Sequence, residues 1–175
     1  MCIRDRLNEA VVQLLAYEQK KGNINHIHGY GKHGRDTFMQ SLADNGVDAG
    51  NPHFIIKEYI DNMYTCMCAS DLIITRAGAM TLTEITAIGR ASVLIPYPYA
   101  AENHQYYNAL TLQNANAGRI IDDKELTGSV LIDTVNRLAD DPELLRLMSE
   151  NAAKLSKRDA AGKILREITE LMGIK

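Results

Sequence analysis

Two short apolar runs, separated by one helix-length segment, restrict the folds that this chain can adopt. The runs are Leu72–Thr75 and Ser92–Pro96, and the segment between them has a helical period. Short runs rich in Ile, Val and Leu, bounded by turns and separated by a helix, are typical of parallel strands that are covered on both faces. The spacing therefore predicts an α/β fold with a parallel sheet.

Polar residues follow each of these runs, and a glycine is among those after the first. Ligands of open α/β sheets bind outside the carboxyl ends of the strands. We therefore expect a binding site where the two sets of residues meet. The sets are Arg76, Gly78, Thr81 and Glu84 after the first run, and Asn103, His104, Gln105 and Asn108 after the second.

The first of these turns has the features of an anion site. Gly78 can take a positive φ angle and lets a ligand approach the backbone closely. The helix that it opens presents free N–H groups and the positive end of its dipole, which suits a diphosphate. Glu84 has two interpretations, because Thr81-Leu82-Thr83-Glu84 also fits a capping box in which the glutamate only satisfies a backbone donor.

Length and composition exclude several classes of protein. A chain of 175 residues is long enough for one ordinary domain, which would bury about 70% of its unfolded surface. The net charge is −3 and no basic stripe is interleaved with aromatic residues, so no nucleic-acid partner is expected. Three cysteines, two of them in Cys-x-Cys, fit neither a disulfide framework nor a zinc site. No metal or cofactor is expected.

The sequence contains neither a membrane-spanning run nor a signal peptide. No apolar run approaches the roughly 18 residues of a membrane span, and the N-terminus lacks the apolar core of a secretory signal. We therefore expect a cytoplasmic chain.

The rest of the chain repeats the alternation of strand and helix. A helix comes first, and an α/β domain that begins on a helix is unusual, so a first strand is expected to be missing. Residues 1–6 (MCIRDR) belong to no pattern. The other predicted helices run over Leu7 to Gly22, Asp36 to Asn45, a short segment that ends at Ala69, Thr127 to Ala139, Pro142 to Leu155 and Ala160 to Met172. The other predicted strands run over Asn25 to His28, His53 to Lys57 and Gly118 to Ile121.

A second glycine-rich turn matches the dinucleotide fingerprint letter by letter. Gly29, Gly31 and Gly34 have the spacing G-x-G-x-x-G, and Glu58 ends the next apolar run. The context is poor, because the fingerprint belongs in the first strand–helix turn of its unit and needs a small residue where Phe38 stands. The alternative is a glycine-rich loop near the cleft.

Five segments taken together resemble a known family. The segments ASDLIITRAGAMTLTEI, LIPYP, ENHQYYNA and AGRIID, with EYIDNM before them, look in this order like the C-terminal, nucleotide-sugar-binding domain of the MurG family. The resemblance runs from about Leu7 to Leu171. The family transfers N-acetylglucosamine from its UDP derivative onto undecaprenyl-diphospho-muramoyl-pentapeptide in peptidoglycan synthesis. It implies a doubly wound, Rossmann-like domain over residues 7–175, half of a two-domain glycosyltransferase of GT-B type, with residues 1–6 unassigned.

The resemblance also implies roles for individual residues. The backbone of Ile60 would contact the uracil, and Glu84 would accept hydrogen bonds from the ribose hydroxyls. For Gln105 and Asn108, the residues alone leave open that they are only an exposed helix start. The remaining residues implied at the diphosphate and the sugar are Gly78, Ala79, Met80 and Thr81 at one helix N-terminus, and His104, Gln105 and Asn108 at the next.

The chain also departs from the family. Members have an N-terminal domain with the acceptor site, a membrane-facing patch and the expected general base, and their C-terminal domain begins with a strand and a Gly-Gly-Ser loop where residues 1–6 stand. The resemblance therefore implies a chain that is inactive or nearly so alone, from a parent peripheral to the inner face of the cell membrane. The alternatives are a donor-binding subunit that needs a separate acceptor chain, a dinucleotide-dependent oxidoreductase, and a sugar-nucleotide epimerase.

Overall fold

Strands and helices alternate along the chain, as the sequence predicts. The computed structural model describes residues 5–32, 35–157 and 159–173. Within those ranges the elements are α1 (Asp5–Lys21), β1 (His26–Gly29), α2 (Arg35–Asp44), β2 (Phe54–Lys57), α3 (Met63–Ala69), β3 (Leu72–Thr75), α4 (Ala79–Ile88), β4 (Ala91–Leu94), a 3-10 turn (Ala101–Asn103), α5 (His104–Asn114), β5 (Gly118–Ile120), α6 (Gly128–Ala139), α7 (Pro142–Lys154) and α8 (Ala160–Leu171).

Local sequence signals explain several helix ends. The Thr127 hydroxyl accepts from the Val130 N–H at 3.2 Å and starts α6, and the Asp141 carboxylate accepts from the Leu144 N–H at 2.9 Å and starts α7. Both are N-caps that satisfy a donor which the helix cannot. Asn62 holds the N-cap position of α3 but makes no side-chain cap bond.

The parallel sheet is divided into two pieces. β1 pairs with β2, β3 pairs with β4, and β4 pairs with β5, all in parallel. Within the described ranges the two pieces are separate sheets, because β1 and β3 are not paired with each other. The predicted α/β class with parallel strands is confirmed.

Helix α1 ties the two sheets together. At its first turn Arg6 Nη1 donates to the Asp123 carbonyl, just beyond β5, at 2.8 Å. Asn8 Nδ2 donates to the Tyr30 carbonyl, just beyond β1, at 3.2 Å. The N-terminus of α1 thus lies at the carboxyl ends of both sheets, and one hydrophobic core contains α1 residues together with residues of both sheets.

A second core covers the opposite face of β4. Leu82 and Ile85 of α4 and Leu112 of α5 pack there with Leu94. Every residue of β4 is buried, as expected for a strand with neighbours on both sides and helices on both faces. This packing fixes the positions at which α4 and α5 begin.

The last helix carries its predicted apolar stripe, but the stripe is exposed. Ile164 is 60% exposed, Leu165 is 65% exposed and Leu171 is 86% exposed, and α8 contributes no buried residue to either core. No helix in the described part of the chain is both long enough and apolar enough to cross a membrane.

Candidate functional site

The turn between β3 and α4 leaves the first N–H groups of α4 without an acceptor side chain. Gly78 is the N-cap of α4, and no side chain caps the helix. A Cβ at Gly78 would meet no atom within 4 Å. An uncapped helix N-terminus beside open space favours an anion, because the N–H groups point outward and the dipole is positive there.

The role of Gly78 in this turn does not depend on an unusual backbone conformation. Its φ is −69° and its ψ is 140°, which is ordinary extended backbone that any residue can adopt. The turn therefore does not use the positive φ that a glycine permits. The glycine serves this turn through its missing side chain, which leaves room for an approaching group.

Side chains from other elements hold this turn in place. Ala77 is fully buried, and its carbonyl accepts from Asn108 Nδ2 at 3.3 Å. Arg76 Nη1 donates to Asp123 Oδ1 at 2.5 Å and to the Ile95 carbonyl at 3.4 Å. The turn is thus connected to the loops that follow β4 and β5.

The ion pair of Arg76 with Asp123 is the part of the site that sequence reasoning missed. Both side chains are only 13% exposed, and Arg6 lies 3.3 Å from the other carboxylate oxygen of Asp123. The sequence predicted only a turn at Asp123. The available signal was an acidic residue just past a parallel strand, at the same edge where Arg76 follows β3.

Glu84 is not a capping residue. Helix α4 begins at Ala79, so Thr81 is the third residue of the helix and Glu84 lies about one turn further on. A capping box requires its Ser or Thr to stand before the first helical residue, so that interpretation is wrong. Glu84 is exposed, and its carboxylate has no hydrogen-bond or ion-pair partner in the part of the chain that the structure describes.

Gln105 and Asn108 are not an exposed helix start either. Both are half-buried. Gln105 Oε1 accepts from the Tyr97 N–H at 3.0 Å, and Asn108 binds the Ala77 carbonyl. His104 is exposed, and its Nδ1 lies 2.7 Å from the Ala101 carbonyl. The start of α5 therefore lies beside the Gly78 turn.

Ile60 lies beyond β2, in the other sheet. Its side chain is 8% exposed, and its Cδ1 atom would be 3.4 Å from a Cβ added at Gly29. The structure therefore brings the residues around Gly78 together with the start of α5 at one sheet, and it positions Ile60 at the carboxyl end of the neighbouring sheet.

The glycine-rich turn after β1 uses two of its backbone N–H groups to pair with the chain after β2. The Tyr30 N–H donates to the Lys57 carbonyl at 3.0 Å, and the Gly31 N–H donates to the Glu58 carbonyl at 3.0 Å. These bonds continue the pairing of β1 with β2, so these two N–H groups are not available to a pyrophosphate. Gly34 lies outside the described residues. The oxidoreductase alternative has no support from this geometry.

Two further features bear on what the protein could bind. An apolar pocket of about 290 Å³ lies between β5 and α7, lined among others by Asn116, Leu147 and Asn151. It is at the amino end of β5, away from every predicted site residue, and the geometry of parallel sheets favours the opposite edge. No cluster of His, Cys, Asp and Glu within the described ranges could hold a metal ion.

Comparison with known proteins decides the family. The model for the "Glycosyltransferase family 28 C-terminal domain" matches residues 4–164. The chain belongs to this family. The resemblance noted in the sequence and the predicted fold class are both confirmed for this family 28 domain.

The relatives of this family 28 chain are about twice its length. It is 36% identical over 168 residues to the UDP-N-acetylglucosamine--N-acetylmuramyl-(pentapeptide) pyrophosphoryl-undecaprenol N-acetylglucosamine transferase of Desulforamulus reducens. It is 40% identical over 167 residues to the transferase of the same name from a Thermoanaerobacter species. Each match covers 95% of this chain and 45% of the relative.

Two solved structures share the fold. The crystal structure of Acinetobacter baumannii MurG superposes with a TM-score of 0.80 at 27% identity, over 94% of this chain and 46% of that one. A kitacinnamycin glycotransferase superposes with a TM-score of 0.63 at 22% identity, over 90% of this chain and 38% of that one, and shows the fold alone.

Proposed function

We propose that this chain binds UDP-N-acetylglucosamine as the donor domain of a transferase that builds peptidoglycan. The observation that carries the proposal is the uncapped N-terminus of α4 beside Gly78. It offers backbone donors and open space at the carboxyl end of a parallel strand, which suits the diphosphate of a nucleotide sugar. The names of the family 28 relatives support the choice of donor.

The nucleotide would extend from the first sheet to the second. The exposed carboxylate of Glu84, which only accepts hydrogen bonds, would bind the ribose diol, and the backbone of Ile60 would contact the uracil. The diphosphate would bind the N–H groups of Ala79, Met80 and Thr81. The sugar would lie against His104, Gln105 and Asn108, and residues 7–175 would form the donor-binding domain.

In the reaction, this domain would stabilise the leaving group. An acceptor hydroxyl, deprotonated by a base outside this chain, would displace UDP from the anomeric carbon with inversion. Negative charge then develops on the diphosphate, where preorganised N–H donors at a helix N-terminus stabilise it. The acceptor would be a lipid-linked muramoyl-pentapeptide, reached at the inner membrane surface through residues outside this chain.

Calorimetric titration of the chain with UDP, UDP-N-acetylglucosamine and NAD tests the proposal. We expect UDP and UDP-N-acetylglucosamine to bind and NAD to bind more weakly, because the N–H groups of Tyr30 and Gly31 in the turn after β1 are already bonded. Tighter binding of NAD than of UDP would exclude the proposed donor site. Failure of both uridine nucleotides to bind would exclude it as well.

A further inference from the structure

The apolar pocket between β5 and α7 takes no part in the proposed donor site. Its volume is about 290 Å³, and it lies at the amino end of β5. Helix α7 is held beside the sheet by Ser149, whose hydroxyl accepts from the Ala91 N–H at 3.1 Å. Within the described ranges β5 pairs only with β4, so the pocket opens at the free edge of this sheet.

The floor of the pocket is apolar. Met148 is buried in the larger hydrophobic core, and Leu144 packs against the same core. Leu147, on the same helix, is 43% exposed, and its removal from water by a ligand is favourable. A volume of 290 Å³ holds about ten water-sized groups at about 30 Å³ each. The pocket therefore offers burial to one short apolar chain.

The amide of Asn151 presents a donor to this pocket. Its Oδ1 accepts from Lys154 Nζ at 3.0 Å, and an ammonium group can only donate. The amide oxygen is therefore turned to Lys154, and Nδ2 faces the Asn116 carbonyl at 3.5 Å. That distance is at the limit of a hydrogen bond, so Nδ2 is available to a ligand oxygen.

Arg119 brings a positive charge to the same place. A Cβ added at Gly118 would lie 3.4 Å from Leu112 of α5, and side chains alternate along a strand, so Arg119 leaves β5 on the side of α7. It is exposed, and no hydrogen bond or ion pair engages its guanidinium group among the described residues. Both acidic residues of α7 are paired with Arg146. The pocket lining thus contains a cation and donors but no carboxylate.

We propose that this pocket is a second binding site, which takes a carboxylate with a short unbranched apolar chain, of the medium-chain fatty acid class. The carboxylate binds the guanidinium fork of Arg119, which matches its two oxygens, and accepts from Asn151 Nδ2. The chain covers Leu147. A chain of about eight carbons has about ten non-hydrogen atoms with its head group, which is the size that the volume allows. The site is independent of the proposed donor site.

An NMR titration of the nitrogen-15-labelled chain with octanoate tests the proposal. We expect saturable shifts of the amide signals of Gly118, Arg119 and Leu147, with a dissociation constant on the order of 1 mM. Hexanoate should bind roughly 15-fold more weakly, because it buries two methylene groups fewer. Octanamide, which has the same shape without the charge, should bind about threefold to tenfold more weakly than octanoate.

Substitution of Arg119 separates the charge from the apolar floor. Arg119→Gln should lower the affinity for octanoate by about threefold to tenfold and leave the affinity for octanamide within about twofold. Arg35→Gln is the matched control, because Arg35 is an exposed arginine at the start of α2. It should leave both affinities unchanged, and the affinity for UDP should stay within about twofold in Arg119→Gln.

The floor is tested by Leu147→Gln. This substitution should weaken octanoate by about fivefold, whereas Leu165→Gln, at an exposed leucine of α8, should have no effect. Three results would overturn the proposal. They are the absence of shifts in β5 and α7 at about 20 times the expected dissociation constant, equal affinity for octanoate and octanamide, and an unchanged octanoate affinity in Arg119→Gln.

Discussion

Two glycine turns follow parallel strands at the same edge of this molecule, and they differ in how their backbone N–H groups are used. After β1, the N–H groups of Tyr30 and Gly31 are bonded to the carbonyls that follow β2. After β3, α4 begins at Gly78 without a capping side chain. In the turn with more glycines, at least two N–H groups are therefore already bonded, which teaches that free backbone donors, and not a glycine pattern, make an anion site.

The two turns also differ in what supports them. The turn after β1 is held by backbone hydrogen bonds that continue a strand pair. The turn after β3 is held by side chains from distant elements, namely Asn108 and the ion pair of Arg76 with Asp123. Substitutions that remove one kind of support should affect only one of the turns.

The largest effect is expected from Asp123→Ala. It leaves Arg76 and Arg6 without their shared carboxylate, and losing one partner of a nearly buried ion pair costs about 3–5 kcal/mol. The free energy of unfolding, measured by urea denaturation, should fall by about that amount. Asp122→Ala is the matched control, because no ion pair of Asp122 is present in the described part of the chain. Equal effects of the two substitutions would contradict the role of the ion pair.

Acid should weaken the half of the molecule that contains β1. Burial lowers the pKa of His26 from 6.5 to about 4, and its Nε2 is buried without a partner. The folded state thus resists protonation, so stability is complete above pH 6.5 and is lost as the pH falls towards 4, by up to about 3 kcal/mol. Denaturant melts at pH 7.5 and 4.5 should show a smaller loss for His26→Phe than for the unchanged chain. An equal loss in both would show that other groups cause the acid sensitivity.

Glu84→Gln should weaken binding at the open turn without changing stability. Hydrogen bonds to a charged group contribute about 1.5–3 kcal/mol, so UDP affinity should fall roughly 10- to 150-fold. The free energy of unfolding should change by less than about 0.5 kcal/mol, because the carboxylate is exposed. Glu9→Gln, at an exposed position of α1, is the control for removing one negative charge. Unchanged UDP affinity in Glu84→Gln would exclude this carboxylate from the site.

The smallest effects should come from alanine at the two glycines. Gly31 has a φ of 82°, so Gly31→Ala should cost about 1–2 kcal/mol of stability. Gly78→Ala fits its backbone and should stabilise the free chain by about 0.4–1 kcal/mol. The added methyl group would lie in the ligand's space and lower UDP affinity by about fivefold or more. Calorimetry and melts on both variants measure these values, and tighter UDP binding by Gly78→Ala would argue against the open turn as the site.

Much of the fold could be predicted because its signals are local. The apolar runs and helix periods placed β3 at Leu72–Thr75 correctly and placed α7 to within one residue. The position of Glu84 within its helix could not be read in this way. A capping box would place the start of α4 after Thr81, whereas the helix begins at Ala79. The two starts differ by only a few residues, and packing of α4 against β4 decides between them.

Interactions between distant residues could not be predicted. Arg76 and Asp123 are 47 positions apart, and no local pattern states that the ends of β3 and β5 meet. The hydrogen bonds of His104 and Gln105 are made with backbone atoms of a turn that has no regular period. The helical spacing of apolar residues in α8 is present in the sequence, but that spacing does not show whether another element covers them.

The division of the sheet has a consequence for how the protein behaves in concentrated solution. A continuous five-stranded sheet has two edges, whereas among the residues that the structure describes β1, β2, β3 and β5 are each paired with a strand on one side only. An unpaired strand edge is a template to which another chain can add. Concentrated samples should therefore self-associate through strand pairing, and charged residues introduced at Ile27 and Ile55, which are 37% and 49% exposed, should keep them in solution.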